Sequence, residues 1–110
     1  MSISVSTLSD KQPAEIVPYS MDLTNISPFG NGLETIASVS WSIYNDEDDP
    51  GSFTDLSGSM KYSDSFSGTE IVCQVQGGTA GETYILRALV TCSSGNIYEV
   101  EGRFRVKEIG

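Results

Sequence analysis

Residues 69–107 alternate between apolar and polar side chains in three consecutive runs, and this alternation constrains the fold more than any other feature. In the last run, one parity is apolar and the other is charged: Tyr98, Val100, Phe104 and Val106 against Glu99, Glu101, Arg103, Arg105 and Lys107. A strict period of two is typical of a strand that is buried on one face in an antiparallel sheet. Residues 69–76, 82–92 and 97–107 are therefore predicted to form three strands joined by tight turns.

The register between the last two strands follows from the numbering of their inward residues. Both inward sets are even-numbered, so opposed residues must sum to an even number, which a three-residue loop at residues 94–96 provides. This loop pairs Val90 with Val100, whereas a two-residue loop would oppose an inward residue to an outward one. The same register sets Arg87 opposite Arg103, an unfavourable pair of like charges on the outer face.

The first half of the chain contains weaker strand patterns. Residues 16–23 alternate but contain Pro18, which has no N–H group, so they are predicted to form an edge strand that ends near Asp22. Residues 24–34 are rich in turn formers and are interpreted as a connection. Residues 53–66 are weakly patterned and predict one or two short strands.

Residues 35–44 form the clearest alternating run outside the C-terminal half. One face carries serines and the other carries apolar side chains, namely Ala37, Val39, Trp41 and Ile43. Because Trp41 shares its parity with aliphatic neighbours, we interpret it as a core residue rather than as an exposed binding platform.

Six to seven strands at this spacing predict an all-β fold, an immunoglobulin/fibronectin-like antiparallel β-sandwich. Tyr84, at the start of a long inner strand, resembles the tyrosine corner of such folds, in which the hydroxyl bonds to upstream backbone. The 110 residues correspond to one domain, assigned to residues 11–110. Residues 1–10 are predicted to be a flexible N-terminal arm; the alternative is an arm that adds a strand to a neighbouring subunit.

The composition argues against most kinds of chemistry. Histidine is absent, which excludes Ser-His and Cys-His catalytic pairs, so we predict no enzyme, no catalytic residues and no cofactor. The net charge of −9 disfavours binding to nucleic acid and to anionic membranes. Cys73 and Cys92 are predicted to be buried free thiols, with a disulfide as the alternative. The acidic run at residues 45–51 is interpreted as a solvated hairpin loop; the alternative is a calcium loop, although the EF-hand spacing is missing.

The outer face of the last two strands is the candidate partner-binding surface. In the predicted register, Ile85 and Leu89 point away from the core, beside Arg87 and across from Arg103. Arginine next to aliphatic area suits an interface with a neighbouring copy or a capsid subunit. The alternatives are scattered surface apolar residues, which are common, or cover by residues 1–10.

Several short motifs stand out beside the strand pattern. The most specific is Gly77-Gly78-Thr79-Ala80-Gly81-x-x-Tyr84, with Lys11-x-Pro13 as a weaker one. The others are Tyr19, Asp22, residues 35–38, Thr91 and Gly95. Together they resemble a family of small tailed-bacteriophage virion proteins that are encoded among head and head–tail genes. The resemblance runs from about Lys11 to Val106 and implies a non-enzymatic virion component with no catalytic residues to transfer.

The resemblance therefore predicts a structural protein of a tailed-phage virion, at the capsid surface or the head–tail neck, with a decoration or attachment role. The expected partners are other virion proteins (capsid, neck or fibre subunits), with several copies or a homo-oligomer in the assembly. The protein would be made in the cytoplasm of the host bacterium. The alternative is a ligand- or receptor-binding β-sandwich module of a phage fibre or an adhesin.

Overall fold

The computed structural model describes residues 2–23, 35–49 and 52–108, with the backbone alone described for residues 2–7. The described chain contains one helical turn, α1, at Ser57–Met60, and seven strands. The strands are β1 Ser2–Thr7, β2 Val17–Asp22, β3 Ile36–Asn45, β4 Lys61–Ser67, β5 Glu70–Val75, β6 Thr83–Cys92 and β7 Ile97–Arg105. The predicted all-β fold is confirmed.

The strands form two sheets that pack as a sandwich. One sheet has the order β1-β7-β6-β3 and the other the order β2-β5-β4. All neighbouring strands are antiparallel except β1, which runs parallel to β7. Where the sheets face each other, the rings of Tyr19 on β2 and Phe104 on β7 have centroids 5.1 Å apart. The position of β2 at a sheet edge agrees with the prediction made from Pro18.

The core is built from the inward parities of the strands. On β5 and β6 the predicted inward residues are all buried: Ile71, Cys73, Val75, Tyr84, Leu86, Ala88, Val90 and Cys92. Trp41 is 5% exposed, which confirms it as a core residue. Ala37, predicted to point inward with Trp41, is exposed, because the β3–β6 register shifts between Ile36 and Ser38 and turns Ala37 outward. Both cysteines are buried and neither forms a disulfide, as predicted.

The predicted β6–β7 register is wrong by two residues. Val90 lies opposite Tyr98, not Val100, and Arg87 lies opposite Glu101, so the like-charge pair does not form. The loop has three residues as predicted, but at positions 93–95: the Gly95 amide donates to the Cys92 carbonyl at 2.9 Å. Gly95, with φ of 96°, takes the left-handed conformation that glycine adopts without steric cost.

The N-terminal residues lie along the sandwich. Within the predicted arm, Ser2–Thr7 forms β1, and the parallel pairing continues past it: the Leu8 amide donates to the Arg103 carbonyl at 2.7 Å. Leu8 fills the space beside Gly102, where an added Cβ would lie 3.0 Å from Leu8 Cδ1. The division into an arm and a domain at residue 11 stays a prediction. The predicted connection at residues 24–34 lies outside the described residues.

The acidic run follows β3, but it does not close a hairpin. β3 pairs with β6, while the next strand, β4, pairs with β5 in the other sheet. The connection therefore crosses between the sheets, and the predicted hairpin is wrong. Asp46, Glu47 and Asp49 are exposed, and Pro50 and Gly51 lie outside the described residues. In the part of the chain that the structure describes, no three acidic or cysteine side chains are grouped so as to hold a metal ion.

Candidate partner-binding surface

The outer face of the β3-β6-β7 sheet is divided into two halves. In one half, Ile85 lies between Tyr44 on β3 and Arg103 on β7. Ile85 is 8% exposed and Tyr44 is 2% exposed, although both point away from the core. We call this part the covered half.

Phe53 lies over Tyr44 in this half. It belongs to the connection that crosses between the sheets, and its ring stacks on Tyr44 with centroids 4.2 Å apart. The Arg87 guanidinium lies over the Phe53 ring, 5.4 Å from its centroid, which is a distance typical of a cation–π contact. The chain therefore covers this half with its own residues.

Arg87 is held in place by a carboxylate as well. Its Nη2 donates to Glu99 Oε2 at 2.5 Å, and this hydrogen bond raises the pKa of the guanidinium above its ordinary value. Its Nε is buried without a hydrogen-bond partner. Arg87 is thus a partly buried arginine that ties β6 to β7 and supports Phe53.

Arg103 lies at the border of the covered half. Its side chain is 59% exposed and forms an ion pair with Asp46 at 3.1 Å. Exposed ion pairs of this kind contribute about 0–1 kcal/mol, so the pair can be exchanged for a partner's carboxylate at small cost.

The second half of the face is open. Leu89, between Ser40 and Glu99, is 39% exposed, and Ile97, opposite Thr91, is 57% exposed. Leu89 and Ile97 are diagonal neighbours on adjacent strands, within reach of each other's side chains. We call this part the open half. Of the four residues proposed from the sequence, the structure leaves Leu89 and Arg103 exposed, half-buries Arg87 and buries Ile85.

A second constellation unites the motifs of the phage-family resemblance. Lys11 is 1% exposed, and its Nζ donates to the carbonyls of Gly77 and Gln12, each at 2.7 Å. Burial lowers the pKa of this ammonium, which the carboxylate of Glu15 partly offsets. Lys11 therefore joins the N-terminal segment to the glycine-rich turn.

The glycine-rich turn is fixed from its other side by Tyr84. The Tyr84 hydroxyl accepts a hydrogen bond from the Thr79 amide at 2.9 Å, which is the upstream backbone bond predicted for a tyrosine corner. Gly78 has φ of 96°, and an added Cβ would lie 2.7 Å from Val106 Cγ2, so only glycine fits there. The motif residues thus stabilise one end of the sandwich rather than forming a reactive site.

The surroundings of Cys73 do not favour a reactive thiol. Burial, together with the nearby charge of Asp64, raises the pKa of Cys73 to about 12. Since the thiolate is the nucleophile, a thiol with this pKa is inert near neutral pH.

Sequence reasoning missed the roles of Phe53 and of Lys11. Phe53 is an aromatic residue in a polar run. This pattern indicates that its side chain packs against another part of the protein, but it does not identify that part. Lys11 was part of a recognised motif, yet a lysine gives no sequence signal for burial, because lysine is almost never fully buried.

Comparison with known proteins gives a family. A search of the curated proteins finds no match. A scan of protein families matches residues 11–105 to the family described as podophage GP4 fiber-tail adaptor protein gp77. No helix of the described chain has the length and apolar character needed to cross a membrane. Because the match includes every strand of the sandwich from β2 to β7, the chain belongs to the podophage GP4 fiber-tail adaptor protein gp77 family.

Proposed function

We propose that the protein is a non-enzymatic structural component of a podophage virion that joins a fibre to the tail. The observation that carries the proposal is the family match over residues 11–105. The buried, inert Cys73 and the structural role of the motif residues support a role without catalysis. The finer positions predicted from the sequence, the capsid surface and the head–tail neck, stay predictions.

The sheet order supports an immunoglobulin-like form of this adaptor. If β2 to β7 are assigned in sequence to strands B to G, the sheets read B-E-D and C-F-G. This is the order of a constant-type immunoglobulin domain without its A strand. The hydrogen bond of Tyr84 supports the same assignment. Such a sandwich is a rigid support whose faces and edges are available for contacts.

An adaptor must bind at least two components, so it needs separate surfaces. The open half offers Leu89 and Ile97 as apolar contacts, with Arg103 at the border as an exchangeable charge. We propose that this surface contacts another virion protein or a neighbouring copy. Several copies in one assembly would strengthen a contact of this modest size by avidity.

The test is a deletion of the gene with complementation in trans. Particles made without the protein are expected to have tails that lack fibres by electron microscopy, and the wild-type gene should restore them. Mass spectrometry of purified particles should detect the protein only after complementation. Complete fibres on particles that lack the protein would contradict the adaptor role. Complete fibres with lost adsorption to the host would instead favour the ligand-binding module.

A further inference from the structure

Two of the outermost strands are protected against pairing with another chain. β2 contains Pro18, which removes one backbone donor from its edge. β3 is capped near one end, where the Leu56 amide donates to the Ile43 carbonyl at 2.6 Å and Asp55 accepts the Ile43 amide at 3.2 Å. Such protection is expected, because unpaired backbone groups on an edge are a template for another strand.

β4 is an edge strand without comparable protection. It pairs with β5 on one side, and no described strand pairs with its other side. Residues 62–67 are all exposed and contain no proline, and Lys61 stands at the first position of the strand. The only irregularity is a register shift between Lys61 and Ser63, at the start of the strand, after which the pairing is regular to Ser67.

The exposed strand also carries aromatic side chains. Tyr62 is 58% exposed and Phe66 is 41% exposed. Phe66 lies opposite Ile71, which is fully buried, so the apolar surface of the core extends to this edge. Tyrosine and phenylalanine are enriched at the centres of protein interfaces, so these two side chains suit a contact with a partner.

The charge around β4 is negative. Lys61 is already paired with Asp64 at 3.3 Å, and the exposed carboxylates of Glu70 and Asp22 lie in the row of Ser67, at the end of the strand and on the other face of the sheet. A second copy of this chain would bring another net charge of −9 to the same edge, which disfavours self-pairing. A partner segment with positive charge is the complementary occupant.

We propose that the free edge of β4 is the docking site for an extended segment of another virion protein, which pairs as an additional strand. Its apolar side chains would pack on Tyr62 and Phe66, and a lysine or arginine would lie near Asp64. Backbone hydrogen bonds would supply affinity and the alternate side chains specificity, as in other cases of strand addition. The proposal rests on the proposed function in one respect, namely that the partner is part of the virion.

Hydrogen exchange measured by mass spectrometry tests the docking on the unmodified protein. Exchange is compared between the purified protein and the same protein in intact particles. In particles, the peptide that covers β4 is expected to exchange at least about tenfold more slowly, since its outward amides become bonded. The peptide that covers β2, whose edge carries Pro18, should change much less and is the internal control.

The outcomes separate the two proposals. If the protein is present in particles and β4 exchanges as in the free protein, the docking is wrong while the adaptor role stands. If the protein is missing from particles, both proposals are wrong. Slow exchange of β4 in the purified protein at high dilution would also contradict a free edge.

Substitutions then test the chemistry of the partner. Tyr62→Ser with Phe66→Ser should reduce incorporation into particles at least about tenfold, the usual effect of removing interface aromatics. The matched control is Ile16→Ser, because Ile16 lies outside β4 and is 47% exposed. Asp64→Lys should reduce incorporation more than Asp64→Asn. Equal incorporation of the two variants would contradict the inference that the partner carries positive charge near Asp64. All variants should melt within a few degrees of wild type, since they alter exposed positions.

Discussion

The covered and open halves of one sheet face differ although the sequence pattern is the same in both. Ile85 and Leu89 have the same parity on β6 and the same kind of side chain, yet one is 8% exposed and the other 39%. We infer that Phe53 makes the difference, because it reaches the face from a connection more than thirty positions earlier in the chain and stacks on Tyr44, the cross-strand neighbour of Ile85. Parity thus tells which side of a sheet a residue occupies, and a distant segment decides whether that side meets solvent.

The largest effect is expected from a substitution within the covered half. Ile85→Ser should lower the free energy of unfolding by about 2–4 kcal/mol, because it removes buried apolar volume and places a hydroxyl in a buried position beside Tyr44. Urea unfolding followed by fluorescence measures this. Leu89→Ser is the matched control on the same strand and parity, and an equal loss in both variants would show that the two halves do not differ.

Removing the cover should have a smaller effect. Phe53→Ala is expected to cost about 1–2 kcal/mol, since the side chain is half-buried and loses one stacked aromatic partner. The amides of β6 near Ile85 should then exchange faster with solvent, while those near Leu89 keep their rate. Unchanged exchange near Ile85 would mean that another segment covers it.

The pH dependence of stability tests whether Tyr44, in the covered half, is buried. Burial raises the pKa of Tyr44 above 10.0, helped by the carboxylates of Glu101 and Glu99 and opposed by Arg87. The folded state thus favours the neutral phenol, so this contribution is complete below pH 10 and is lost as the pH rises toward the raised pKa.

The measurement compares wild type with Tyr44→Phe by urea unfolding at pH 9, 10 and 11. The stability difference in favour of wild type should shrink above pH 10. Tyr19 and Cys73, whose pKa values are raised to about 12, are present in both proteins and cancel. A difference that does not depend on pH would mean that Tyr44 is exposed to solvent.

The strands of this protein were predictable because alternation is a local property of the chain. Alternation predicts the bounds of β5 and β6 to within one residue, together with their inward sides. It does not predict the β6–β7 register, because the register depends on which residue begins the loop, and Gly95 and Asn96 both tolerate the left-handed position. A one-residue shift of the loop moved every cross-strand pair by two.

The candidate surface was predictable only in part, for the same physical reason. The outward direction of Ile85, Arg87, Leu89 and Arg103 follows from parity and is correct. The cover by Phe53 and the burial of Lys11 are contacts between segments far apart in sequence, which alternation does not encode. The glycine-rich turn is recognisable in the sequence because position 78 requires a left-handed backbone conformation and has no room for a Cβ, which only glycine satisfies.

The smallest effect on folding is expected in the open half, where the effect on assembly should be large. Leu89→Ser combined with Ile97→Ser should change the free energy of unfolding by no more than about 0.5 kcal/mol per site, as is usual for exposed positions. If the open half contacts another virion protein, the double variant should be incorporated into particles much less than Ile16→Ser, a substitution at a comparably exposed isoleucine outside this surface. Normal incorporation of the double variant would exclude the open half as a contact and leave the edge of β4 as the candidate. A stability loss as large as that of Ile85→Ser would show instead that Leu89 and Ile97 are covered in solution, and the division of the face into two halves would then be wrong.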